Sequence, residues 1–236
     1  MPPCTTGRQA HPLETLRTHF AQADGLPFAD VLTAERLERA LDEEKATWRE
    51  AGYTPVLTLG AFLSQIVSAD GSCRACVARV LAWLVSRGEQ PCSPKTDPYC
   101  KARRRLPESL FRRLVRATGQ DLHDRSPEAG RWNGRRVKIA DGTTVSMPDT
   151  AANQAAYPQP PSQKPGLGFP LARVVVVFCL ACGTVLDAAW GRYQGKQTGE
   201  NSLLRTLTGV LEAGDLLLAD RYFGGVRPRP VAAAGH

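Results

Sequence analysis

Two aspartates each sit where an apolar, strand-like run gives out. Asp141 follows Val137-Lys138-Ile139-Ala140 and opens Asp141-Gly142-Thr143-Thr144; Asp220 follows Leu216-Leu217-Leu218-Ala219 and opens Asp220-Arg221-Tyr222-Phe223. A carboxylate at the end of a strand is held by the sheet yet still meets solvent. Two of them side by side repel unless a cation lies between them. Mg²⁺ or Mn²⁺ suits such a seat, because it takes hard oxygen ligands and is often held by one or two carboxylates, with water and phosphate oxygens completing the shell. A pair of such ions can activate a nucleophile and steady the leaving oxygen of an in-line phosphoryl displacement. Either aspartate alone carries little weight, since Asp favours the turns that end strands. Asp149, Asp187 and Asp215 serve as controls and read as loop or strand-edge residues.

The charge around the aspartates suggests a polyanionic partner. The chain of 236 residues has a formal net charge of +7, and the excess is regional. Lys101 to Lys138 holds twelve Lys/Arg against four Asp/Glu, a local net of +8, which leaves the remainder close to neutral. Such a balance favours DNA as a partner and argues for solubility rather than for any particular mechanism. The hydrophobic share of 42% suits a globular protein of one or two domains. The longest uncharged apolar run, Val174 to Leu186, is too short to span a bilayer, and the start Met1-Pro2-Pro3-Cys4 lacks the apolar stretch of a signal peptide. Seven irregularly spaced cysteines do not form a disulfide framework, so a reducing cytoplasm is expected.

The elements that must position the aspartates come in two textures. The first hundred residues read as helices. Leu13, Leu16, Phe20 and Ala23 share a stripe. Thr33 is predicted to cap a helix running to about Ala51, with Leu37, Ala40, Leu41 and Trp48 inward. Thr58 is predicted to cap another, with Leu59, Phe62, Leu63, Ile66 and Val67 on its stripe, and Ser72 a third, with Val77, Val80, Leu81 and Leu84 inward and Gly88 as its stop. Pro91, Pro94 and Pro98 mark a loop, and Pro107 suits the first turn of a further helix. On that helix Leu110, Phe111, Leu114 and Val115 face one way and Arg112, Arg113 and Arg116 the other. With Lys101, Arg103, Arg104 and Arg105 just before, these cations are candidates for laying along a phosphate backbone; a solvated helix face is the competing reading.

From Arg135 onward the pattern is that of strands: Arg136 to Ala140, a Pro/Gln/Gly-rich loop from Tyr157 to Pro170, Leu171 to Leu180, a turn at Ala181 to Thr184, and Val185 to Tyr193. A helix follows with Thr198 near its cap, Glu200 in its first turn, a stripe of Leu203, Leu204, Leu207, Val210 and Leu211, and Gly214 as its stop. Leu216 to Ala219 reads as a central strand buried on both faces. Two antiparallel turns and one helical crossover would make the first and last strands parallel neighbours, bringing Asp141 and Asp220 to one end of the sheet.

Other constellations are weaker. Cys73-Arg74-Ala75-Cys76 and Cys179-Leu180-Ala181-Cys182 are both C-x-x-C pairs, but each continues an apolar stripe or strand, and buried cysteine outweighs zinc. His11, His19, His123 and His236 show no ligand or triad spacing. Ser146 lacks a nearby base and a nucleophile elbow, and Gly166-Leu167-Gly168 is no phosphate-binding loop. Trp132, Trp190, Tyr193 and Tyr222 read as core or core-edge residues rather than base-stacking platforms.

Four segments, taken in order, carry a resemblance. Tyr99-Cys100-Lys101-Ala102-Arg103, Trp132-Asn133-Gly134-Arg135-Arg136-Val137, and Asp141-Gly142-Thr143-Thr144-Val145-Ser146-Met147-Pro148-Asp149-Thr150 resemble the DDE transposases of bacterial insertion sequences, IS-four type. Gly214-Asp215-Leu216-Leu217-Leu218-Ala219-Asp220-Arg221-Tyr222-Phe223 resembles the second acidic segment of the same family. The likeness covers roughly Tyr99 to Phe223 and extends loosely to the N-terminal helices. It implies an α/β chain: a helical DNA-binding region over 1–130, then a ribonuclease-H-like mixed-sheet core over 131–224, incomplete here; the tail over 225–236 departs from the family's pattern and reads as aberrant or disordered. It also implies a transposase, located in the bacterial cytoplasm with the nucleoid, that cleaves DNA at element ends and joins the 3′ hydroxyl to target DNA. Asp141 and Asp220 would be its first and second metal-binding acids in a site for Mg²⁺ or Mn²⁺.

The family's third acid, a glutamate in a tyrosine-arginine-glutamate-lysine signature, has no counterpart, since no Glu follows Glu212 and Pro228 and Pro230 would break a helix there. The expectation is therefore a truncated, catalytically impaired transposase, with DNA and a homodimer or full-length copy as partners and no membrane. Two competitors stand beside it: a DNA-binding or dimerising remnant without catalysis, and a Mg²⁺-dependent phosphohydrolase acting on small esters.

Overall fold

The structure is a computed structural model that describes residues 31–44, 52–164 and 166–225. The expected stripe from Leu13 to Ala23, the inward Trp48 and nearly all of the tail lie outside the described residues. The chain is mixed α and β, with seven helices and one four-stranded mixed sheet among the described residues. It divides into two compact units, 1–111 and 112–236. The division falls inside a helix, short of the expected boundary at 130.

The first unit is helical: α1 Ala34–Glu43, α2 Pro55–Val67, α3 Cys73–Ser86, α4 Thr96–Arg105 and the first residues of α5 Glu108–Asp124. Short polar side chains satisfy the orphan N–H groups at helix starts. Thr33 accepts from the Arg36 N–H at 3.3 Å and Ser72 from the Ala75 N–H at 3.1 Å, as their positions predict. Helix α2 corrects the expected cap. Thr54 caps it, accepting from the Leu57 N–H at 3.2 Å, because Pro55 needs no donor in the first turn. Thr58 is buried one turn further in, where its hydroxyl donates to the Thr54 carbonyl at 2.6 Å. Leu59 is buried as expected, but Leu57 and Ala61 also enter the core and Ile66 is exposed. Pro98 also moves from the expected loop into the first turn of α4. Tyr53, Leu57 and Ala61 pack with Cys76, Val77, Val80 and Leu84 of α3 and with Tyr99 and Ala102 of α4.

The second unit holds the rest of α5, then β1 Val137–Ser146, α6 Ala151–Ala156, β2 Leu171–Cys179, β3 Val185–Arg192, α7 Glu200–Thr206 and β4 Leu216–Leu218. The strand order is β3-β2-β1-β4. β1 and β2, and β2 and β3, pair antiparallel, and β1 and β4 pair parallel across the α7 crossover. Two expectations are corrected. β1 does not end at Ala140. It runs to Ser146, because Asp141 to Ser146 pair with Val176 to Leu171 of β2 and Thr143, Thr144 and Val145 favour extended backbone. β4 is not central but lies at the sheet edge, only partly buried, with Leu218 57% exposed. Helix α6 has no counterpart in the sequence reading. The loop after it is held by glutamines: Gln154 donates to Gly168 O at 3.0 Å, and the Gln159 side chain donates to Lys164 O at 2.9 Å and accepts from the Gly168 N–H at 3.2 Å.

The sheet core places Ala140, Val175, Val177 and Cys179 against Leu203, Leu204 and Leu207, with Phe223 beside them. Helix α5 approaches β3 so closely that a Cβ on Gly119 would lie 2.1 Å from the Val185 carbonyl oxygen. Glycine is thus required there by space.

Lys138, the second residue of β1, is fully buried. Its ammonium pairs with Asp215 at 2.7 Å and donates to Val210 O at 2.6 Å. Asp215 is itself held by the Glu212 N–H at 2.8 Å. The turn into β4 is clamped further by Arg135, which donates to Gly214 O and Asp215 O, and by the Leu216 N–H on Arg136 O. Removing one partner of a buried pair strands the other charge. Lys138→Met is therefore expected to lower the unfolding free energy by about 3–5 kcal/mol in urea denaturation. Lys138→Met with Asp215→Leu should recover a large part of that loss.

His123 on α5 is fully buried with neither ring nitrogen hydrogen-bonded. Desolvation, then the nearby Lys138 and Arg136, push its pKa below the ordinary imidazole value, against a weaker opposing pull from Asp215 and Asp124. Above the ordinary value near 6.5 the ring is neutral whether folded or unfolded. Below it the unfolded chain binds a proton that the folded chain refuses, so stability falls as pH falls until the folded ring also titrates. Denaturation midpoints compared at neutral pH and a pH unit or two lower should show this loss, and His123→Leu should reduce it.

Candidate functional site

β1 and β4 run parallel with Val137 opposite Leu216, Lys138 opposite Leu217 and Ile139 opposite Leu218. Asp141 and Asp220 each lie two residues beyond the last of these pairs, Asp141 within β1 and Asp220 past the end of β4. Both are exposed. Each has a carboxylate oxygen fixed by a backbone N–H: Gly142 donates to Asp141 and Tyr222 donates to Asp220, both at 2.8 Å. The strand behind Asp220 ends early, and a single 3-10 turn, Arg221–Gly225, follows it. That turn is held by Phe223, buried in the sheet core, and by Asn201 of α7, which donates to Tyr222 O at 3.0 Å.

Glu200, at the start of α7, comes close to β1 but from the other side. A Cβ on Gly142 would lie 2.7 Å from its carboxyl carbon. Alternation along β1 turns Asp141 to the opposite face from Gly142 and Ala140. Glu200 lies 3.7 Å from Arg173 Nε, while Arg173 donates to Thr198 O and lies over the Tyr193 ring. This cluster seats the start of α7. Among the described residues no group of three or more His, Cys, Asp or Glu side chains converges to hold a metal. Asp141 and Asp220 are nonetheless ligands of the kind a hard divalent cation accepts: exposed carboxylates, each with its orientation fixed by a backbone N–H.

The residues chosen as controls prove to carry structure. Asp187 is buried in β3 and accepts from Arg116 at 2.7 Å; this hydrogen bond holds the Arg116 guanidinium above its ordinary pKa. Asp215 is the partner of Lys138. Sequence reasoning passed over both because a carboxylate's burial depends on a cation distant in the chain, Arg116 for one and Lys138 for the other.

The basic stretch is partly consumed by the fold. Arg112 lies over the Trp190 ring at 4.7 Å and Arg116 pairs with Asp187. Arg103 donates to Gln65 at 3.0 Å and lies over Phe62 and Tyr99. Lys101 pairs with Asp97 on an exposed helix face, and exposed Arg104 donates weakly to Cys100 O at 3.4 Å. Arg105 and Arg113 also have interactions within the chain. Of the aromatics, Trp190 and Tyr193 each support an arginine, whereas Trp132 and Tyr222 are 61% and 57% exposed rather than core.

No family model matches the chain, and no curated protein or solved structure matches it.

The arginines separate into two roles that mutation can resolve. Arg116→Ala leaves Asp187 buried without its cation and is expected to lower stability by about 1–3 kcal/mol. Arg104→Ala should stay within about 0.5 kcal/mol of the parent. Urea denaturation followed by circular dichroism measures both.

Proposed function

We propose that this chain binds DNA and belongs to the machinery of DNA transposition, the activity implied by its resemblance to DDE transposases, with a ribonuclease-H-like second unit. The observation that supports this reading best is the parallel pairing of β1 with β4, in whose register Asp141 and Asp220 each follow the last pair by two residues despite their separation in sequence. These two carboxylates would hold Mg²⁺ or Mn²⁺, which when bound supplies charge neutralisation at a phosphodiester. The backbone N–H groups of Gly142 and Tyr222 keep the carboxylates oriented, leaving the second oxygen of each to act as ligand. Exposed Lys101 and Arg104 on α4 contribute phosphate contacts from the helical unit.

Asp141 and Asp220 match two of the three acids the resemblance implies. On those two carboxylates alone the reading is DNA binding, with strand cleavage requiring a third acid. This two-acid limit favours the DNA-binding reading over unaided catalysis.

A gel-shift titration with duplex DNA at two salt concentrations, with and without Mg²⁺, tests the reading. Neutralising about three phosphates should weaken binding roughly 40-fold between salt concentrations of about 50 and 200 mM. Arg104→Ala should flatten that slope. Mn²⁺ binding measured by calorimetry should be weak and should disappear in Asp141→Asn and in Asp220→Asn. No nicking is expected with either metal. DNA affinity indifferent to salt, combined with hydrolysis of small phosphate esters, would replace this reading with a phosphohydrolase. Robust nicking that depends on Asp141 would contradict the two-acid limit.

A further inference from the structure

The four-residue C-x-x-C spacing pairs Cys73 with Cys76, but the fold pairs Cys73 with a different cysteine. Cys76 is fully buried, and its thiol donates to the Ala61 carbonyl at 3.1 Å. Cys73, the first residue of α3, instead has its sulfur 3.7 Å from that of Cys100 on α4. Both cysteines are only half-buried. The pair borders a polar network centred on Gln65. The Gln65 amide donates to Gly71 O at 2.7 Å and to the Cys73 sulfur at 3.6 Å, while its carbonyl accepts from the Tyr99 hydroxyl at 2.6 Å and from Arg103 at 3.0 Å. Three helices are thereby fixed around the two sulfurs, and a small reagent can still reach them.

We propose that Cys73 and Cys100 form a reversible dithiol–disulfide site in the helical unit, oxidised by low-molecular-weight disulfides. The sulfurs need to close from 3.7 Å to the roughly 2.05 Å of a disulfide. The Cys73 thiolate attacks one sulfur of the reagent. A mixed disulfide forms, the reagent's own S–S bond breaks, and one small thiolate leaves with the electron pair and takes up a proton. The Cys100 sulfur, its proton lost to solvent, then attacks the Cys73 sulfur and displaces the second small thiolate, which is protonated in turn. Two protein thiols are oxidised by two electrons, and one small disulfide is reduced to two thiols. Burial and the neighbouring Cys73 push the Cys100 thiol up, consistent with its acting second. The product staples α4, which carries Lys101, Arg103, Arg104 and Arg105, to the start of α3.

Oxidised glutathione on the full chain is the test, read by alkylation of remaining thiols, tryptic digestion and mass spectrometry. Trypsin cuts after Arg74 and so separates Cys73 from Cys76, which distinguishes the two pairings. The expected product is a Cys73–Cys100 linked peptide that disappears on reduction, with Cys76 still alkylated after denaturation. Cys100→Ser should trap glutathione on Cys73. A Cys73–Cys76 link, a lasting glutathione adduct on Cys73 of the unsubstituted chain, or both thiols remaining alkylated after prolonged exposure would each overturn the proposal. The linked peptide is sought in the unsubstituted chain, so that readout does not depend on how any variant folds.

Discussion

The second unit depends on the buried contact between Lys138 and Asp215. An ammonium and a carboxylate removed from water must satisfy each other and nearby backbone groups, and here they do so through Val210 O and the Glu212 N–H. Apolar contacts tolerate sliding, but a buried ion pair has one register. Lys138 sits in β1 and Asp215 immediately precedes β4, so their pairing fixes which residue of β4 faces which residue of β1. The equal offset of Asp141 and Asp220 from the last β1–β4 pair follows from that register. The ion pair contributes specificity of arrangement, whatever its net contribution to stability.

The same economy governs the basic stretch. Arg103, Arg112, Arg116, Arg135, Arg136 and Lys138 all have partners inside their own unit. A count of positive charge therefore overstates the surface offered to a polyanion. Arg112 and Arg116, together with the closely fitted Gly119, attach α5 to β3. The helix face that looks solvated in the sequence is in part the face that holds the sheet.

Local patterns were legible in the sequence and distant ones were not. Ser72 and Thr33 read correctly as caps because capping involves residues three apart. β2 and β3 fell within a residue or so of their expected bounds, since their β-branched runs and the Gly183 turn are local signals. The parallel neighbours β1 and β4 were reached through the crossover rule. The errors have physical causes. The apolar stripe alone points to Thr58 as the cap; the proline that starts the helix moves the cap to Thr54. A charged residue reads as the end of β1, although pairing with β2 carries the strand on to Ser146. The three leucines of β4 read as central because they are apolar, yet hydropathy does not report how many neighbours a strand has. Asp187 and Asp215 read as loop or strand-edge residues because the cation that lets each be buried lies elsewhere in the chain. The pairing of Cys73 with Cys100 was invisible for the same reason.

The pairing of β1 with β4 joins segments 79 residues apart, whereas the β2–β3 hairpin closes over a handful of residues. Loop-closure entropy favours the hairpin first and leaves the β1–β4 seam among the later events of folding. The segments that carry Asp141 and Asp220 come into register only when that seam is made. A chain that has collapsed around its hairpin and α7 would already hold most of the apolar core, yet lack that register. Alignment of the two acidic segments is thus tied to completion of the native topology rather than to compaction.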